Sequence, residues 1–109
     1  MKNKDYKLDY SNLCIDIAKK YDMRLLCGED VNHRCYIYLD GLRVLNRYSF
    51  YENDTGYGDN IELAAKDLIY IYMNKNVRLR RIDKGREYYY TARIRNMIRK
   101  AIRGIKQHV

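Results

Sequence analysis

Half of the chain's 22 basic residues crowd into its last stretch, Arg78–Val109, yet they share it with an apolar stripe of helical period. That combination excludes a loose cationic tail. Tyr90, Ile94, Met97, Ile98, Ala101, Ile102 and Ile105 recur at helical spacing, covering roughly 140° at about 100° per residue. Arg93, Arg95, Arg99, Lys100, Arg103 and Lys106 sweep the remaining arc. Only Asp83 and Glu87 oppose the basic residues of the segment, so residues 1–77 are close to neutral while the end carries the excess charge. The sequence therefore predicts a helix from about Glu87 that docks its apolar side and presents a basic one. A surface of that kind attracts polyanions over a Debye length.

The other elements follow from the same periodicities. Tyr10, Leu13, Cys14, Ile17, Ala18 and Tyr21 fall on one helical face, with Asp9 or Ser11 as the cap. Arg24–Cys27, Arg34–Asp40 and Leu42–Arg47 read as three strands of an antiparallel meander, with Asp40-Gly41 as a hairpin turn. Glu52–Gly58 reads as a polar loop running into a second helix, which Asp59 would cap with Glu62 reaching back. That helix repeats Ile61, Ala64, Ala65, Leu68 and Tyr72 and ends near Asn74–Asn76. Val77–Ile82 alternates apolar and basic residues, as a fourth strand or an extended linker, before a turn at Asp83–Gly85. The expected class is α+β. At 109 residues the chain is one domain, 1–109: an α-β-β-β-α unit over 9–76, and a basic extension over 77–109 docked on it.

Composition narrows the setting. Three cysteines, an odd number, fit a reducing compartment, and no signal peptide or membrane-length apolar run is visible. A soluble cytoplasmic protein without membrane attachment is expected. Thirteen Tyr against one Phe supply aromatic area that keeps a polar edge.

For chemistry, the basic helix ranks first. Its cations would neutralise phosphates and release counterions, a sequence-independent attraction. Arg78 and Arg80 precede it, and Tyr88 and Tyr89, opening it with Tyr90, suit base stacking or a protein hot spot. Tyr36 and Tyr38 form a second platform or pack under a helix. Gly56-Tyr57-Gly58 before a helix start suggests a phosphate loop, but Asp54, Asp59 and Glu62 surround it and a turn requirement explains it better. An acidic, Tyr-bearing loop of Tyr51, Glu52, Asp54, Tyr57 and Asp59 would meet a basic protein surface. Cys14, Cys27, His33 and Cys35 lack the paired knuckles of a zinc site, so neither metal nor cofactor is assigned. No catalytic constellation stands out, and an enzyme is not expected.

The α-β-β-β-α order, Asp40-Gly41, and Gly56-Tyr57-Gly58 leading into Leu63–Leu68 resemble a double-stranded-RNA-binding domain over Asp9–Asn76. Where that family carries a lysine cluster this chain reads Asp59-Asn60-Ile61-Glu62, with only Lys66 basic. The resemblance implies topology and not duplex binding. In style the chain also resembles small early proteins of phages and mobile elements, anti-CRISPR proteins among them. That resemblance implies a non-enzymatic inhibitor in a host bacterial cytoplasm, acting on a nucleoprotein, with an RNA-guided nuclease as favoured partner. The alternative is a small DNA- or RNA-binding regulator using the last helix directly. The oligomeric state is left open.

Overall fold

The three helical stripes are three helices. The computed structural model describes residues 8–46 and 54–108, with side chains of the last helix described to Gly104. In chain order the elements are α1 (Tyr10–Lys20), β1 (Leu25–Glu29), β2 (Cys35–Leu39), β3 (Leu42–Asn46) and β4 (Gly56–Gly58). Then follow α2 (Ile61–Met73), β5 (Val77–Asp83), β6 (Arg86–Tyr89) and α3 (Thr91–His108). The class is α+β, as the patterning predicts.

The strands assort differently from a meander. One antiparallel sheet has the order β1-β2-β4, the other β3-β5-β6. β2 and β3, on either side of Asp40-Gly41, do not pair with each other, so that dipeptide joins two sheets and closes no hairpin. Gly41 has φ 90°, whereas Asp40 is not among the residues with positive φ, as a two-residue type I′ hairpin would require. The tight hairpin lies elsewhere. Lys84 (φ 52°) and Gly85 (φ 77°) join Asp83 to its partner Arg86, linking β5 to β6. Arg86–Tyr89 is therefore a strand and not the start of the basic helix. Tyr90 continues the ladder, its N–H donating to the Leu79 carbonyl at 2.9 Å, and the Thr91 hydroxyl accepts from Leu79 N–H at 2.9 Å.

Gly56-Tyr57-Gly58 is a strand as well, paired to Cys35–Ile37 of β2. α2 lies directly on it. A Cβ at Gly56 would fall 2.2 Å from the Ala64 carbonyl oxygen, and one at Gly58 2.6 Å from Ala64 N. The G-x-G spacing thus turns both glycines toward α2 and Tyr57 away from it. Close backbone packing explains the motif; neither a phosphate nor a turn does.

Buried side chains from all three helices and both sheets form one cluster, including Ile17, Ile37, Leu39, Val44, Leu68, Tyr72, Leu79, Ile94 and Ile98. Residues 77–109 are no addition to a finished unit: β5 supplies the partner of β3, with Leu79 opposite Val44. Ile94 and Ile98 of α3 are fully buried, worth roughly 1.5–3 kcal/mol each. The helix is docked, as its stripe requires.

Helix ends are tied across the fold. Asp9 caps α1 by accepting from Asn12 N–H at 3.0 Å, and Asn60, not Asp59, caps α2 by accepting from Leu63 N–H at 2.8 Å. Glu62 does not reach back along its own helix. Its carboxylate accepts from Tyr10 N–H (2.7 Å), Ser11 N–H (2.9 Å) and the Ser11 hydroxyl (3.0 Å) at the start of α1. Those are orphan donors at the positive end of a helix dipole, where a carboxylate is favoured. Glu62→Ala should lower stability by about 1–2 kcal/mol and Tm by roughly 5–10 °C. An unchanged thermal melt would show that water replaces the carboxylate at no cost.

Candidate functional site

α3 carries six basic residues and no acidic one. Ile94 and Ile98 bury one side, so the opposite arc faces outward, and Arg93, Arg99, Lys100 and Arg103 on it are exposed. The Arg93 guanidinium sits 5.6 Å from the Tyr90 ring centroid, and Tyr90 in turn meets Tyr21 at 5.0 Å between centroids. Arg99 Nη1 donates to Asn96 Oδ1 at 3.2 Å. No ion pair involves these four among the described residues. Lys106 and Ile105 lie in α3, but their side chains fall outside the described residues.

Arg95 departs from the expected outward face. Its Nε donates to the Tyr72 carbonyl at 2.8 Å, and its Nη2 to the carbonyls of Asn74 and, at 2.9 Å, Val77. The guanidinium thereby caps the C-terminal end of α2, where unpaired carbonyls and the negative end of the dipole gather. Burial, then the neighbouring charge of Arg99, lowers its pKa from the ordinary arginine value. Arg95 sits beside the apolar stripe on the helical wheel and is structural. Arg81 plays the matching part for α1, donating from Nη1 to the Tyr21 carbonyl at 2.7 Å.

Arg78 and Arg80 belong to a different surface from α3. Val77 and Leu79 of β5 are buried toward the core that holds Ile94, so the alternating Arg78 and Arg80 face away from it. Register places Arg43 of β3 opposite Arg80, and Tyr89 of β6 on its other side. Like charges directly opposite each other across a ladder are unfavourable. Here each has a counter-charge: Arg80 Nη1 lies 3.2 Å from Glu87 Oε1, and Arg43 Nε 3.8 Å from Asp54 Oδ2. Arg78 sits 5.3 Å over the Tyr89 ring, whose hydroxyl donates to Glu87 Oε1 at 2.6 Å. Those bonds, first from Tyr89 and then from Arg80, hold the Glu87 carboxyl below its usual range. Tyr88 lies on the other side of β6, paired in register with Arg81. Sequence reasoning missed Arg43, although the alternation of Leu42, Arg43 and Val44 already turns it outward.

The acidic Tyr-bearing loop does not assemble among the described residues. Tyr51 and Glu52 lie outside them. Asp54 faces Arg43, Tyr57 stands on the β1-β2-β4 sheet, and Asp59 precedes the cap of α2. Cys14, Cys27, His33 and Cys35 do not converge. Among the described residues no three His, Cys, Asp or Glu side chains are grouped for a metal ion. Cys14 is buried in the core, where desolvation and then the charge of Glu62 push its thiol up to about 12, whereas Cys27 is exposed. No described helix is long and apolar enough to cross a membrane.

The arrangement offers two cationic surfaces: a helix face whose charges have no carboxylate beside them among the described residues, and a sheet face whose arginines are largely paired. The chain matches no family model, no curated protein and no solved structure.

Proposed function

We propose that the chain is a non-enzymatic nucleic-acid-binding protein that grips phosphates with the outward face of α3. The observation that carries this reading is the set of exposed cations Arg93, Arg99, Lys100 and Arg103 on a docked helix lacking any acidic residue. A fixed element whose cations have no ion pair among the described residues keeps its charge available, whereas ion-paired arginines such as Arg80 must first give up a partner.

An inhibitor of an RNA-guided nuclease would place the same helix against guide RNA. Such an inhibitor also needs an acidic patch for the nuclease's basic groove. Of the acidic loop residues, Asp54 already faces Arg43, whereas α3 presents its cations directly, so free nucleic acid is the better-supported ligand. Gel retardation of labelled single- and double-stranded oligonucleotides tests both readings. Four phosphate contacts predict that affinity falls roughly a hundredfold between about 50 and 200 mM salt. No retardation at about 50 mM salt, or affinity indifferent to salt, would sink the direct reading. Capture of a purified nuclease complex without response to free oligonucleotide would favour the inhibitor instead.

A further inference from the structure

The outward face of the β1-β2-β4 sheet carries a row of tyrosines that the basic helix does not use. α2 packs against the other face, over Gly56, Gly58 and Ile37. Tyr36 and Tyr38 alternate with buried Ile37 and Leu39, so they point away from α2 and do not pack under it. Tyr36 lies down across the neighbouring strand. Its hydroxyl and ring carbons come within 2.9–3.3 Å of where a Cβ on Gly28 would stand, and Gly28 is its register partner on β1. A side chain at position 28 would lift the ring off the sheet. The Tyr38 ring is nearly parallel to it, at 24° between planes and 6.3 Å between centroids. Both are half-buried, as expected of rings with one face against backbone. On the far side, Tyr57 is the register partner of Tyr36, and the exposed Arg34 holds its guanidinium 5.5 Å over the Tyr57 ring.

We infer that this face is a stacking platform for the unpaired bases of a single-stranded nucleic acid, with Arg34 as the cation beside the strand. Flat aromatic rings accept any base by its π-face, and a guanidinium at the edge of the row complements the phosphates. Bases locked in a duplex cannot reach such a surface. The inference rests on the nucleic-acid reading above and adds to it a preference for single strands.

The chain has no tryptophan, so Tyr38→Trp installs a single reporter on the platform. Fluorescein-labelled oligothymidylate and a duplex of matched length serve as probes, with binding followed by anisotropy. The expected results are quenching of the Trp emission by oligothymidylate and not by duplex. In addition, Tyr36→Leu with Tyr38→Leu should weaken oligothymidylate binding about tenfold or more, leaving duplex affinity within about twofold. Tyr36→Phe with Tyr38→Phe keeps the rings and should bind like the parent. Trp emission unchanged at saturating oligothymidylate overturns the platform, whether or not the leucine variant folds. So does a leucine variant, shown folded by circular dichroism, whose single-strand affinity is unaltered or which loses both probes equally. In each of these the parent still binds, and the nucleic-acid reading survives. If the parent binds neither probe at low salt, that reading itself fails and takes the platform with it.

Discussion

Gly56→Ala is expected to destabilise the protein by about 3 kcal/mol or more, and to lower Tm by roughly 10 °C or more. The added methyl would meet the Ala64 carbonyl oxygen at 2.2 Å, Leu68 N at 2.7 Å and Leu68 Cβ at 2.8 Å. Two of those neighbours are helix backbone, which no rotamer change can move. Relief needs α2 to back away from β4, opening the close-packed layer between them. The effect is steric and not conformational, since Gly56 is not among the glycines with positive φ. Gly104→Ala is the internal control. Nothing lies within 4 Å of its Cβ position, and it sits inside α3. Alanine there should raise stability by roughly 0.5–1 kcal/mol. Thermal melts by circular dichroism read both. A Gly56→Ala protein that melts with its parent would mean that α2 does not rest on β4 as described.

The second large effect separates arginines that look alike in sequence. Arg99→Glu with Arg103→Glu should weaken oligonucleotide binding on the order of a hundredfold at low salt and flatten the salt dependence by about two phosphate contacts. Both side chains are exposed, so the melt should barely change. Arg95→Ala should behave in the opposite way. It strips two carbonyls at the end of α2 and one at the start of β5 of their donor, at a cost of about 2 kcal/mol, while the folded protein still binds. Anisotropy titrations and melts on the two variants give a crossed pattern. If the Glu pair binds as tightly as the parent, the outward face of α3 is merely solvated and the proposed function falls.

Why one arginine of the helix is structural could not be read from its spacing. Arg95 sits at the margin of the apolar stripe, and its acceptors come from Tyr72, Asn74 and Val77, brought close only by the packing of α3 on α2. What was legible is what has a local cause. The stripes of α1, α2 and α3 show in the sequence because the 3.6-residue period is set by the residues that meet the core. The hairpin was misplaced because Asp40-Gly41 and Lys84-Gly85 both stand between β-prone runs. Only the true partner of Leu42–Asn46, in Val77–Arg81, distinguishes them, and that pairing is non-local. Likewise Glu87–Tyr89 was absorbed into the helix by its period, although three consecutive tyrosines after a glycine turn are also a strand signal. The sequence leaves two fates for the Tyr36–Tyr38 face, since alternation alone does not say which side a helix will cover.

The pairing of β3 with β5 also sets the order in which this molecule can come into being. During synthesis from the N-terminus, β3 emerges with its backbone edges open, and its described partner in the sheet, β5, arrives some thirty residues later. The Ile94 and Ile98 side chains that seal the core, and the guanidinium that closes α2, come later still. Native pairing of β3 therefore waits for β5 and α3 to be made, and the nascent chain spends that interval with a strand edge exposed to other chains.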